Sequence, residues 1–153
     1  MTRTEAEAEL FGTLFVLGQH LTRHTDEALA GYGVTSRQWL LLAVLVRALP
    51  GDEPTLTRAA EVYGTSRQNV KQIALQLARR GLVELVPDPG DRRATRIRAT
   101  PRAAELFDSP AAVAEQQAFV GRVFAGLDDA DFDRLGHLVG RCLAGLSDAE
   151  VRS

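Results

Sequence analysis

Between residues 66 and 72 the sequence sets Ser66, Arg67, Gln68, Asn69, Lys71 and Gln72 almost side by side. These groups recognise hydrogen-bonding edges and anions: Gln and Asn amides pair in bidentate fashion with adenine, and Arg or Lys with guanine. A second group, Asp91, Arg92, Arg93 and Arg96, with Arg98 behind it, gathers around a turn further along. Arginines at a turn tip suit phosphate contact or insertion into a narrow minor groove. Asp91 among them reads as a local partner that fixes the direction of an arginine. Taken singly, either group also describes a solvated polar surface; their succession points to a polyanion.

Charge distribution carries the same message. The 153-residue chain has a net charge of −2, which by itself speaks against nucleic acid. From Arg58 to Arg102, however, ten basic residues stand against four acids, a balance of +6 that leaves −8 to the rest. A basic island in an acidic chain is an electrostatic footprint for a polyanion.

The elements that must position these groups follow from periodicity and punctuation. Residues 5–30 place Leu10, Phe11, Leu14, Leu17, Leu21, Ala28 and Leu29 at helical spacing, and Gly31-Tyr32-Gly33 ends the run. The tetrapeptide TSRQ then occurs at 35–38 and again at 65–68. After the first copy, Thr35 opens a helix with Gln38 placed for a capping box. That helix is apolar on nearly every side through Leu49 and is expected to be buried. Pro50 to Pro54 is a loop, Thr55 caps a short helix, Leu56–Tyr63, and Gly64 closes it. The second copy, capped by Thr65 or Ser66, opens a helix that stops at Gly81. Projected at about 100° per residue, Val70, Ile73, Ala74 and Leu77 share one side with Ser66. Gln68 and Gln72 lie opposite, flanked by Lys71 and Asn69, with Arg67 on a shoulder. Strands are expected at 82–86 and 94–99 around the Pro87–Asp91 turn. Thr100-Pro101 starts a helical pattern to Gly126, kinked or split at Asp108-Ser109-Pro110, and a last helix runs from Asp129 to Leu146.

Two helices joined at Gly64, the second followed by a hairpin, make a winged helix-turn-helix. The fold class is mainly α with a small β-hairpin wing (α+β). On this reading the first TSRQ launches a scaffold helix and the second launches the helix that meets DNA.

The stretch LTRAAEVYGTSRQNVKQIALQLARRGLVELVPDPGDRRATRIRATPRAAELF resembles the DNA-binding domain of the MarR family of bacterial transcription regulators. Its most specific features are Arg80-Gly81-Leu82-Val83, the wing sequence Asp88-Pro89-Gly90-Asp91-Arg92-Arg93, and Thr100 opening a helix. The similarity extends more weakly over the chain, and Ala99 departs from the usual leucine before that threonine. The resemblance implies one MarR-like chain, 1–153, with its winged part at 35–100 and N- and C-terminal dimerisation helices at 1–31 and 101–153. It further implies a homodimer on a pseudo-palindromic double-stranded operator, with Asp91 and Arg93 as the family's wing pair. Most members are released by a small effector, for which Phe11, Phe15, Gln19 and Trp39 are the lining residues expected here. An alternative use of the fold is protein–protein assembly without DNA.

Other chemistry is thinly represented. His20 and His24 stand four apart, a spacing that can hold a metal, but no cysteine lies near them; no metal and no cofactor are expected. Cys142, the lone thiol, is expected to be an apolar filler. No nucleophile with a base and no Gly-rich phosphate loop suggests an enzyme. The longest apolar run, Trp39–Val46, is too short for a membrane span, and the acidic start MTRTEAEAE is unlike a signal peptide, so a cytoplasmic protein with no membrane partner is expected.

Overall fold

The computed structural model describes residues 1–51 and 53–152; Asp52, inside the loop expected at Pro50–Pro54, lies outside the described residues. Helix α1 spans Arg3–Leu29 and opens with a capping box that sequence reading did not anticipate. Thr2 Oγ1 accepts from the Glu5 amide at 3.2 Å, while Glu5 Oε2 accepts from the Thr2 amide at 2.6 Å. A 3₁₀ turn, Ala30–Tyr32, and Gly33 in the left-handed region (φ 68°) end it, where Gly31-Tyr32-Gly33 predicted a stop. Helix α2, Ser36–Ala43, carries the predicted Thr35/Gln38 capping box and passes into a π-helical stretch, Val44–Ala48. Helices α3 (Leu56–Tyr63) and α4 (Arg67–Arg79) precede an antiparallel hairpin, β1 (Val83–Pro87) and β2 (Thr95–Ala99), in register Val83↔Ala99 to Pro87↔Thr95. Then follow α5 (Pro101–Phe107), α6 (Pro110–Val123) and α7 (Asp129–Arg152). The helical pattern after Thr100 is therefore split at Asp108–Ser109, and the last helix outruns its expected end at Leu146.

Two compact units result, 1–109 and 110–153. In the first, Leu41, Leu56, Val70, Leu77, Leu82, Val83 and Ile97 are almost wholly removed from water and form the centre of the core. Burying each such side chain stabilises the fold by roughly 1.5–3 kcal/mol. One expectation fails here: α2 and its π extension are not buried all round. Leu41, Leu42, Val44 and Leu45 face the core, whereas Leu40 and Val46 are 39% and 55% exposed, because the winged core covers only one side of this helix. In the second unit Asp128 Oδ1 accepts from the Asp131 amide at the start of α7 (2.8 Å), and Phe124 meets Phe132 edge-on at 5.2 Å. Helix α1 exposes Leu10, Phe11, Leu14, Phe15, Val16 and Leu17, and α7 exposes Phe132, Leu135, Leu138, Val139, Leu143 and Leu146. Cys142 is exposed rather than an apolar filler, since nothing within its own unit packs over that part of α7. Among the described residues no single helix is long and apolar enough to cross a membrane.

Two turns depend on glycine for different reasons. Gly64 (φ 85°) has open space where a Cβ would stand, whereas a Cβ on Gly33 would lie 2.9 Å from Arg80 Nη2. That guanidinium donates to the Gly33 carbonyl and, at 3.1 Å, to the Tyr32 carbonyl. Gly64→Ala should therefore cost only the left-handed backbone penalty, about 1–2 kcal/mol. Gly33→Ala should cost that and about 1–2 kcal/mol more for displaced hydrogen bonds. Urea unfolding of the two variants checks the order, and equal losses would contradict it.

Candidate nucleic-acid interface

The turn between α3 and α4 is closed by the Gly64 and Thr65 amides, both donating to the Ala60 carbonyl (2.9 and 3.1 Å). Ser66, not Thr65, then caps α4, accepting from the Asn69 amide at 3.2 Å. This settles the choice left open by sequence and separates the two TSRQ copies by one residue of frame. In the first copy Thr35 is the cap, so Gln38 sits at the third helical position and folds back on the Thr35 amide (3.1 Å). In the second copy Ser66 is the cap, so Gln68 sits at the second position and stays exposed. Val70, Ile73, Ala74 and Leu77 are buried as projected, which turns Arg67, Gln68, Lys71 and Gln72 to the exposed side.

Asn69 flanks Gln68 on α4 as projected, but its side chain does not stand free. It is half-buried; its Oδ1 accepts from Arg37 Nη2 at 3.3 Å and its Nδ2 donates to Thr65 Oγ1 at 2.9 Å. Both ends of its amide are thus engaged within the chain. Arg37, which the sequence reading did not single out, is held in turn by Tyr63, whose hydroxyl donates to the Arg37 carbonyl at 3.1 Å. Nothing local in the sequence marks this junction, because Arg37 and Asn69 lie 32 residues apart.

At the wing, Asp88 organises the turn. Its Oδ1 accepts from the Gly90 and Asp91 amides (2.7 and 3.0 Å), and its Oδ2 pairs with Arg96 Nε at 2.5 Å. Arg96 also donates to the Glu53 carbonyl at 2.6 Å, so this half-buried guanidinium braces the wing base from inside. Asp91 does fix an arginine, but through the main chain: its Oδ1 accepts from the Arg93 amide at 2.9 Å. Arg98 pairs with Glu84 and Glu53, at 2.7 and 3.1 Å, and Arg58 with Glu61 at 3.2 Å. An unforeseen edge contact joins Thr55 to Arg96, with the Ile97 amide donating to the Pro54 carbonyl at 2.9 Å. Among the described residues Arg67, Lys71, Arg92 and Arg93 form no ion pair and are exposed. Within the basic island Arg58, Arg96 and Arg98 are thus paired with acids and Arg80 is held by carbonyls, whereas Arg67 and Lys71 on the first turns of α4, Arg92 and Arg93 at the wing tip, and Arg79 and Arg102 elsewhere have no acidic partner among the described residues.

Residues 32–94, which hold α2, α3, α4 and the hairpin turn, match the profile of the MarR family. Over that stretch the chain is similar to the MarR family. BadR of Rhodopseudomonas palustris, a transcriptional activatory protein, is 26% identical over 106 residues, a match covering 69% of this chain but only 61% of BadR. A MarR family transcriptional regulator from Rhodococcus sp. RHA1 shares the fold with a TM-score of 0.77 at 23% identity, over 90% of this chain and 94% of that one. CouR from Rhodococcus jostii RHA1, bound to p-coumaroyl-CoA, does so with 0.72 at 24%, over 86% and 89%. BadR and the first Rhodococcus protein are transcriptional proteins rather than enzymes, in keeping with the non-enzymatic reading.

The residues expected to line an effector site fall on two helices, Phe11, Phe15 and Gln19 on α1 and Trp39 on α2. Phe11 and Phe15 meet at 5.0 Å between ring centres, with their planes tilted by 59°, on the exposed side of α1, and Gln19 on the same helix is exposed. Trp39 is half-buried and packs on the winged core instead. His20 and His24 are exposed with rings 6.3 Å apart, and His24 Nδ1 lies 3.6 Å from Glu27. Among the described residues they belong to no cluster of three metal-ligating side chains.

The Asp88 carboxyl is held below its ordinary range, first by the Gly90 amide and then by the Arg96 guanidinium. A carboxylate depressed on folding stabilises the fold above its ordinary titration range and loses that contribution as pH falls through the depressed value. The Gly90 and Asp91 amide resonances should therefore move only at a pH below the usual carboxylate range. Asp88→Asn should abolish that acid step; a step unchanged in the variant would assign it to another group.

Proposed function

We propose that the chain is a cytoplasmic, homodimeric transcription regulator that binds a pseudo-palindromic double-stranded operator and represses from it until a small molecule releases it. The observation that carries this reading is the division of the basic island. Its structural arginines are paired in the wing base, while Gln68, Lys71 and Gln72 on α4 and Arg92 and Arg93 at the wing tip stand free. In a two-fold dimer the reading helices would enter successive major grooves about 34 Å apart, and the wing tips would reach the flanking minor grooves. Arg67 and the helix start, capped by Ser66, would meet phosphate. Asp91 and Arg96 serve this surface by shaping the wing.

The exposed apolar faces of α1 and α7 support a second copy of the chain as partner, since isolated monomers rarely leave such faces in water. Dimerisation would also complete an effector site around Phe11, Phe15, Gln19 and Trp39. An aromatic or lipophilic effector fits these side chains, and CouR, a relative in fold, binds p-coumaroyl-CoA. Leu143→Arg on α7 should shift the protein from dimer to monomer in analytical ultracentrifugation; an unchanged dimer would remove α7 from the interface.

Binding to the chain's own upstream DNA and to random DNA of equal length, titrated with salt, tests the function. Tight, salt-steep binding that prefers the upstream fragment is expected, whereas affinity for its partner that barely changes with salt would favour protein–protein assembly. Arg93→Ala should weaken both DNAs alike and reduce the salt slope by about one. Gln68→Ala should cost about 1–3 kcal/mol on the preferred DNA and chiefly relax sequence preference. Equal losses on both DNAs for Gln68→Ala would remove its base-reading role.

A further inference from the structure

A polar stripe on α4 faces neither the core nor the reading side. Asn69, Gln76 and Arg80 lie within about 20° of one line along the helix, roughly 100° from Gln68. Each is bonded to the corner where α1 turns into α2. Asn69 takes Arg37 at 3.3 Å; Gln76 Oε1 accepts from Gln38 Nε2 at 3.1 Å; Arg80 spans the Tyr32 and Gly33 carbonyls. The corner is itself fastened, since Asp26 Oδ1 on α1 accepts from the Ser36 amide that opens α2 (2.6 Å).

We infer that Asn69 and Arg80 are positioning residues that hold the two ends of α4 against the α1–α2 corner and thereby set operator discrimination without touching a base. The chemistry separates them from readers. A bidentate amide reader needs Oδ1 and Nδ2 together on one base edge, and both atoms of Asn69 are committed to Arg37 and Thr65. Arg80 is half-buried, with its guanidinium turned onto two main-chain carbonyls. Since α1 carries the exposed apolar face, any movement at its C-terminal end reaches α4 through the same bonds.

The inference rests on the DNA-binding reading, so its test has a part that does not need DNA. Full-length Asn69→Ala, Arg80→Ala and Arg80→Lys are compared with wild type by amide hydrogen exchange, after circular dichroism confirms folding. Exchange should quicken in the first turn of α4 for Asn69→Ala and in its last turn for both Arg80 variants, with Leu41 and Ile97 unchanged. Arg80→Lys keeps the charge but loses the two-carbonyl fork, and it stands in if Arg80→Ala does not fold. On a duplex selected by the wild-type chain from a random pool, each variant should lose about threefold to thirtyfold in preference over random DNA. Affinity for random DNA and the salt slope should stay as in wild type. A salt slope reduced by about one would make Arg80 a phosphate ligand. Preference lost at a single base pair in Asn69→Ala would make it a reader. Unaltered exchange overturns the inference whatever the DNA result. A wild-type chain that selects no duplex, with altered exchange in the variants, would overturn the regulator reading and leave the clamp on α4 standing.

Discussion

The roll of α4 about its own axis is the constraint on which the rest of the winged unit depends. Val70, Ile73, Ala74 and Leu77 are each at most 4% exposed, and a helix with four buried positions at this spacing cannot rotate without pushing polar groups into the core. Turning such a helix by one residue would bury an amide or a cation without a partner, at several kcal/mol for the charged group. With the roll fixed from inside, the outward directions of Gln68, Lys71 and Gln72 are determined before any partner arrives.

Electrostatics then sorts the arginines. In the wing base, opposite charges and carbonyls surround Arg96 and Arg98, so these side chains are spent on holding two strands and a loop together. At the tip the acid that remains, Asp91, is turned inward to the main chain and leaves Arg92 and Arg93 uncompensated. One basic island thus does two kinds of work, and counting its charge overstates what is left for a partner. Exposed ion pairs of this sort add little stability; their contribution here is direction.

Much of the architecture was legible because its signals are local. Gly33, Gly64 and Gly81 all take positive φ at the places where helices were expected to stop, Thr35 and Gln38 made the capping box their spacing announced, and Pro101 opened a helix. The helical apolar spacing of Val70, Ile73, Ala74 and Leu77 on α4 was equally plain. What escaped were interactions between segments distant in sequence. Asn69 projects beside the reading face on an isolated helix, and only the packing of α2 brings Arg37 to it. Arg96 looks like another wing cation until the loop carrying Glu53 folds onto the strand. The exposure of Leu40, Val46 and Cys142 escaped for a related reason, since hydropathy registers that a side chain avoids water but not which surface covers it.

The one-residue difference in cap frame between the two TSRQ copies has a consequence for how such a helix evolves. Asn69 occupies the Thr65 hydroxyl and Ser66 takes the cap. Were Thr65 to cap instead, Gln68 would become the third helical residue and could fold back on its own helix as Gln38 does on α2. The same glutamine would pass from outward-facing surface group to internal staple with no change in its identity. Residue 66 thus acts as a switch on the meaning of residue 68, so two relatives with identical amides at that position need not present the same surface.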